Sequence, residues 1–172
     1  MLSAKFNWMR TALLCSVTVV TACSNTSQTV IQDGDSIILS GGETVRLMGI
    51  DTPEHRDRHE HPPRWGEQPG ALEASRALRD LVLDRSVRCE GDTHGYYGRR
   101  LVTCYVGDLN LNEEMVRLGW AWSAKRSGPY RELEREACRK RLGIWASDSL
   151  PMHPQRWRSN NPLKRPKWPC KR

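Results

Sequence analysis

Acidic side chains and one arginine are concentrated near the start of the chain. The motif DGDS occupies residues 33–36, Arg46 lies inside an apolar run, and the motif DTPE follows at residues 51–54. An arginine between Val45 and Leu47 on a half-buried strand needs an anionic partner. Alone, an Asp-Gly step is usually a turn and Asp-Thr-Pro usually ends a strand, so the combination is what indicates chemistry.

This combination supplies the parts of a cation site beside an anion site. Hard cations such as Ca²⁺ bind carboxylate and backbone carbonyl oxygens. A planar arginine fork binds phosphate. With a spare carboxylate as a base, the set is suited to phosphodiester hydrolysis. An EF-hand loop is excluded because Ile37 stands where that loop requires an oxygen ligand.

The strands that must position these side chains follow from hydrophobic alternation and turn residues. The segments at residues 37–40 and 43–50 flank a Gly-Gly pair, which predicts a β-hairpin. The segments at residues 86–90 and 100–106 alternate apolar and polar residues, and they predict a second hairpin.

Helical spacing marks three further segments. The apolar positions of residues 74–82 recur at helical intervals, and residues 111–118 and 130–142 predict two more helices that end near glycines. Residues 55–70 are polar and rich in Pro and Gly, which predicts a long loop. Strands first, with helices inserted and appended, indicate the α+β class.

Length and charge set the outer limits. The chain has 172 residues, enough for one domain. No apolar run reaches the roughly 20 residues that a membrane helix needs, which excludes a multispan membrane protein. The net charge is +7, but residues 152–172 hold seven Lys and Arg and no acid. The rest is near neutral, so nucleic-acid binding has to be argued from local sites.

The order of these motifs resembles the staphylococcal nuclease family. The similarity covers residues 29–146 and runs through VIQDGDSIILSGGETVRLMGIDTPE, HGYYGRRL, LNEEMVRLGWAW and RLGIW. It implies a five-stranded OB-fold β-barrel with about three α-helices, which agrees with the predicted α+β class.

The resemblance also implies a role for each residue of the site. Asp35 and Asp51 match the family's Ca²⁺-binding carboxylates, and Thr52 matches the residue whose backbone carbonyl completes the metal site. Arg46 matches the arginine that binds the scissile phosphate. Glu54 matches the carboxylate proposed to activate or orient the attacking water.

The motif YGR at residues 97–99 extends the match. Arg99 matches the second arginine, which stabilises the charge on the phosphorus and the leaving oxygen. Tyr97 matches a tyrosine near the bound nucleotide, although a loop aromatic packed on the barrel explains it equally well. Ser36 departs from the family pattern, where Thr is commoner, but it keeps the hydroxyl.

These matches predict a Ca²⁺-dependent nuclease that acts as a monomer. We expect it to cleave DNA and RNA with little sequence specificity and to leave 3′-phosphate ends. Two other classes stay open at this point: a non-catalytic nucleic-acid-binding OB module, and an envelope lipoprotein that binds acidic polymers through its basic tail. The complete set of acidic and arginine residues favours the enzyme.

The N-terminus has the pattern of a bacterial export signal. A basic segment precedes an apolar stretch at residues 11–22, and the sequence VTAC ending at Cys23 is similar to a lipobox. We expect a signal peptide over residues 1–22, a lipidated Cys23 and a linker over residues 23–28. The protein would then be anchored to a membrane of the cell envelope; ordinary cleavage followed by secretion is the alternative.

Export makes the remaining cysteines candidates for disulfides. If the second hairpin turns between the two tyrosines of its YY pair, Cys89 and Cys104 lie opposite each other within disulfide range. Cys138 would then pair with Cys170. Free thiols at these last two positions are the alternative.

Two segments stay without a firm assignment. His55, His59 and His61 indicate a solvated loop rather than a zinc site, because they do not form HExxH and two prolines follow them. The tail, residues 147–172, interleaves Trp with Arg and Lys. It could bind single-stranded nucleic acid or an anionic surface, or stay disordered; the resemblance adds a Trp-Arg segment that packs on the body.

Overall fold

The computed structural model describes residues 29–56, 66–95, 97–124, 128–147 and 152–159. The predicted signal peptide, the linker with Cys23, and most of the tail lie outside these residues, as do His59 and His61. Within the described part, no helix has the length and apolar character needed to cross a membrane.

Four short strands form the first part of the fold. They are β1 (Val30–Ile31), β2 (Ser36–Ile38), β3 (Thr44–Leu47) and β4 (Ile50–Asp51). The first three pair antiparallel in order, and Ile38 lies opposite Thr44 across the turn. The hairpin predicted around the Gly-Gly pair is therefore confirmed, with shorter strands than the sequence indicated.

The second part contributes β5 (Val87–His94), β6 (Arg100–Val106), β7 (Leu109–Asn110) and β8 (Trp122–Ser123). Strand β6 pairs in parallel with β3 and antiparallel with β5, which gives a mixed sheet in the order β1-β2-β3-β6-β5, with β7 on β6. Strands β4 and β8 form a separate two-stranded ladder.

The register of β5 and β6 confirms one predicted disulfide. Cys89 lies opposite Cys104, and the two form a disulfide with a Cα–Cα distance of 4.1 Å. Cys138 is also disulfide-bonded. Its predicted partner, Cys170, lies outside the described residues, so the second pairing stays a prediction.

The described residues contain four α-helices and one 3₁₀ turn. They are α1 (Ala71–Val82), α2 (Leu111–Arg117), α3 (Arg131–Arg139) and α4 (Pro154–Arg158), with the 3₁₀ turn at Gly143–Ala146. The helix expected over residues 130–142 ends earlier because Arg141 adopts a positive φ of 56°. Helix α4 was not expected from the sequence, since the tail shows no periodicity.

The α+β class is confirmed by this mixture of one mixed sheet and packed helices. The five-strand count of the implied barrel stays a prediction, because the described strands form eight short segments. The core lies between the sheet and the first two helices, where side chains such as Ile37, Val102, Leu78 and Met115 are fully buried.

A buried amide joins the sheet to helix α2. The side chain of Asn112 is fully buried; its Oδ1 accepts from the Cys104 backbone N at 3.0 Å. Its Nδ2 donates to the carbonyls of Met48 and Val102 at 2.9 and 3.0 Å. These bonds hold the turn after β3 against β6 and so fix where strand β4 begins.

Candidate active site

The structure brings Asp35, Arg46 and Asp51 together as the sequence predicted. Asp35 lies just before β2, Arg46 lies on β3 opposite Ser36, and Asp51 ends β4. Arg46 donates from Nη1 to Asp35 Oδ1 and from Nη2 to Asp51 Oδ1, both at 2.7 Å. One guanidinium thus bridges two carboxylates, each almost entirely buried.

Burial is what sets the acidity of this cluster. Asp35 is 2% exposed, and its burial raises the pKa of its carboxyl to about 8. The charge of Arg46 lowers this pKa, whereas the negative charges of Asp33, Asp51 and Glu54 raise it. The cluster therefore favours additional positive charge near Asp35.

Thr52 contacts Asp35 because the DGDS turn lies close to the end of β4. Its backbone N donates to Asp35 Oδ2 at 3.3 Å, and the residue is 3% exposed. A Cβ added at Gly34 would lie 2.8 Å from Thr52 Oγ1 and 3.0 Å from Ala74 Cβ. Only glycine fits there, so the DGDS turn can reach the end of β4.

A hard divalent cation suits this donor set. Two buried carboxylates and a carbonyl are oxygen ligands of the kind that Ca²⁺ takes, and their unfavourable mutual charge would be relieved by a cation. Within the ranges described, no group of three His, Cys, Asp or Glu side chains converges as a metal site. The predicted metal ligands are therefore Asp35, Asp51 and Thr52, and the ion would take its other ligands from outside these three residues.

Glu54 lies at the rim of the same cluster. Its backbone N donates to Gln68 Oε1 at 3.1 Å, and its backbone carbonyl accepts from Gln68 N at 2.8 Å. Partial burial raises the pKa of the Glu54 carboxyl, although the adjacent Arg158 opposes this rise. A carboxylate with a raised pKa beside two buried aspartates is suited to accept a proton from water.

Arg99 is connected to the cluster through a hydroxyl. Its Nη1 donates to Ser36 Oγ at 3.2 Å, and Ser36 Oγ donates to Asp35 Oδ1 at 3.2 Å. The second predicted arginine is thus near the site, and Ser36 provides the connection. Tyr97, by contrast, is 80% exposed on the connection between β5 and β6.

A third arginine, which the sequence does not predict, reaches the site. Arg158, on α4, donates from Nη1 and Nη2 to the two carboxylate oxygens of Asp51 at 3.2 and 3.0 Å, and it also pairs with Glu54. The only signal was the Trp-Arg pattern of the tail, which does not identify the residue that reaches the site.

Gln68 was also missed, because it lies in a stretch that the sequence identified only as a loop. It is 2% exposed and holds Glu54 from one side. On the other side, its Nε2 donates to the carbonyl of Met152. His55, at the start of the same loop, bonds through Nε2 to Ser75 Oγ at 2.7 Å, which gives it a structural role.

The chain is also similar to a known protein family. Residues 44–147 match the family model described as "Staphylococcal nuclease homologue". The matched range contains Arg46, Asp51, Glu54 and Arg99, and it begins after Asp35.

Three relatives illustrate the similarity. The chain is 34% identical over 159 residues to an "Uncharacterized endonuclease" of Haemophilus influenzae, covering 86% of this chain and 83% of that protein. It is 35% identical to "Protein ParB" of Escherichia coli, covering 68% of each. It is 33% identical to "Staphylococcal-like nuclease CAN1" of Arabidopsis thaliana, covering 67% of this chain and 33% of the plant protein.

Proposed function

This chain belongs to the staphylococcal nuclease family, and we propose that it is a Ca²⁺-dependent nuclease that hydrolyses DNA and RNA with little sequence specificity. The observation that supports this most directly is the position of Arg46 between Asp35 and Asp51. An arginine fork suited to phosphate and two carboxylates suited to a cation lie in contact, which favours phosphodiester hydrolysis, whereas a plain binding module needs no such pair of carboxylates.

The cation would be held by Asp35, Asp51 and the Thr52 carbonyl. When bound, Ca²⁺ supplies Lewis-acid stabilisation of the phosphoryl oxygens. The guanidinium of Arg46 binds the scissile phosphate, and Arg99 stabilises the charge that develops on it.

Glu54 acts on the water. Its carboxylate shares Arg158 with Asp51, and Gln68 holds its backbone on both sides, so the carboxylate can accept a proton from a water that attacks phosphorus. Attack opposite the 5′-oxygen expels that oxygen and leaves a 3′-phosphate.

The test is digestion of supercoiled plasmid and of RNA by the purified protein with Ca²⁺ or with a chelator. We expect cleavage of both substrates with Ca²⁺ only, and 3′-phosphate ends on the products. Glu54→Gln should lower kcat by about 10²–10⁴-fold, the usual contribution of a general base. Binding without cleavage at any divalent ion would instead support the nucleic-acid-binding module.

We also propose that the protein is exported and anchored through Cys23, on the strength of the lipobox-like sequence that ends there. Cys23→Ser should release the protein from the membrane fraction or stop its processing. Normal cleavage of Cys23→Ser together with unchanged fractionation with membranes would rule out the lipid anchor, whereas a wild type found in the soluble fraction would favour simple secretion.

A further inference from the structure

The C-terminal segment, residues 152–159, packs beside the active site. Pro154 is buried, the carbonyl of Met152 accepts from Gln68 Nε2, and Trp157 Nε1 donates to the Gly66 carbonyl at 2.8 Å. The ring of His153 lies 5.6 Å from the ring of Trp122. These contacts position the segment independently of Arg158.

Arg158 makes its contacts with the residues that the proposed chemistry uses. It pairs with both carboxylate oxygens of Asp51 and with Glu54. Asp51 Oδ1 also accepts from Arg46 Nη2 at 2.7 Å. Two guanidinium groups therefore share one carboxylate oxygen, and their charges repel unless an anion lies between them.

A cation at Asp51 would remove that anion from both arginines. The ion would compete with Arg158 directly, since each needs the oxygens of the same carboxylate. The Arg158 side chain is 33% exposed and is carried on a five-residue helix, so it has room to turn away from Asp51 without exposing the core.

The released guanidinium would still need a negative partner. Two arginine forks that lie together match the oxygens of one phosphodiester, which accept paired hydrogen bonds from planar donors. A substrate phosphate at Arg46 would be within reach of Arg158 as well.

We propose that Arg158 is a third arginine of the active site, which neutralises Asp51 and Glu54 in the metal-free protein and binds the substrate phosphodiester once a cation occupies Asp51. This rests on the proposed nuclease function. It assigns to the C-terminal segment a direct part in substrate binding, beyond the residues 29–146 that carry the family motifs.

The experiment compares Arg158→Ala, Arg158→Lys and the wild-type chain in two measurements. Calorimetric titration of the metal-free protein with Ca²⁺ gives the Kd for the ion without any turnover. Steady-state cleavage of a single-stranded oligonucleotide at saturating Ca²⁺ gives kcat/KM. Arg156→Ala is the matched control, because it removes the same charge from the same helix.

The two measurements should move in opposite directions. Arg158→Ala should bind Ca²⁺ about three- to tenfold more tightly, because a competing ion pair is gone. Its kcat/KM should fall about tenfold or more, the loss expected for a charge-assisted hydrogen bond to phosphate. Arg158→Lys should recover part of the activity, and Arg156→Ala should resemble the wild type in both measurements.

Other patterns would overturn the proposal. Tighter Ca²⁺ binding with unchanged or faster cleavage would make Arg158 an inhibitory contact only. Weaker Ca²⁺ binding together with slower cleavage would make it a structural contact only. Equal behaviour of an active wild type and Arg158→Ala in both measurements would overturn the role of Arg158 alone. A wild type that neither binds Ca²⁺ nor cleaves would instead overturn the proposed function.

Discussion

Gln68 and Glu54 are joined by a reciprocal pair of hydrogen bonds. The Gln68 N donates to the Glu54 carbonyl at 2.8 Å, and the Glu54 N donates to Gln68 Oε1 at 3.1 Å. Residues 55–67 separate them in the chain, so this pair brings together the two ends of the segment that follows the DTPE motif. The placement of Glu54, the proposed general base, therefore depends on a buried amide outside any strand.

Replacing this amide should impair catalysis more than folding. Gln68→Met keeps the volume but removes both side-chain hydrogen bonds, so Glu54 and the C-terminal segment lose a common support. We expect kcat to fall about tenfold, since a misplaced catalytic group loses the benefit of orientation. The measurement is steady-state plasmid cleavage, with Gln155→Met, exposed on α4, as the control. Equal rates for the two variants would contradict this role.

The local part of the site could be predicted from the sequence because its residues lie on one hairpin and the strand after it. Asp35, Arg46 and Asp51 lie together because β2 pairs with β3, which places Ser36 opposite Arg46, and because only two residues separate the end of β3 from the start of β4. The Cys89–Cys104 disulfide could be predicted for the same reason, since a hairpin turn determines which residues face each other.

The remaining features depend on contacts between distant segments. Gln68 lies in a polar loop, and Arg158 reaches Asp51 across a sequence separation of 107 residues. Neither the periodicity of the chain nor its turn residues predicts such a contact. Helix α4 cannot be predicted from the hydrophobic pattern of the sequence either, because its five residues are too few to show a helical period.

A second prediction compares the effect on cleavage of removing Arg46 with that of removing an arginine on the neighbouring strand. Arg46→Ala should lower kcat/KM about 100-fold or more, because it removes the fork proposed to hold the scissile phosphate. Arg100 begins β6 and makes a two-point ion pair with Glu43 at the surface, at 2.8 Å for each bond. Arg100→Ala should stay within about twofold of the wild type, since exposed ion pairs contribute little.

The comparison is informative because both changes remove one strand arginine and one ion-pair network. Activity is measured with the same oligonucleotide at saturating Ca²⁺, and far-UV circular dichroism checks that each variant is folded. Comparable losses in both variants would show that general positive charge, rather than the position of Arg46, supports cleavage.

A third prediction concerns the stability of the metal-free protein. The pKa of Asp35 is raised by burial to about 8 in the folded protein, whereas its ordinary value is 3.8. The unfolded chain therefore loses this proton at lower pH than the folded one, and Asp35 reduces stability progressively as the pH rises from about 4 to 8. The asparagine in Asp35→Asn cannot ionise, so this variant should not lose stability in this way as the pH rises.

In the presence of a chelator, Asp35→Asn should melt close to the wild type at pH 4 and above it at pH 8. A gain of roughly 1 kcal/mol would appear as about 2–4 °C in a protein of this size. Differential scanning calorimetry across the pH range measures it, with Asp108→Asn, in an exposed turn, as the control. A melting temperature at pH 8 below that of the wild type would show that the ion pair with Arg46 outweighs the burial of the charge.

The last prediction concerns the disulfide between Cys89 and Cys104. It joins two strands that already pair, at a sequence separation of 15, so the bridge constrains the unfolded chain across a short loop. The double variant Cys89→Ala/Cys104→Ala should lose roughly 1–3 kcal/mol of stability, because part of the order is also supplied by the strand hydrogen bonds.

Since neither cysteine belongs to the cluster around Arg46, Ca²⁺-supported cleavage at 25 °C should stay within about twofold of the wild type. Thermal unfolding and the cleavage rate are measured on the same preparation. Loss of activity in a variant that remains folded would mean that the β5–β6 hairpin, which leads to Arg99, depends on this bridge for the geometry of the site.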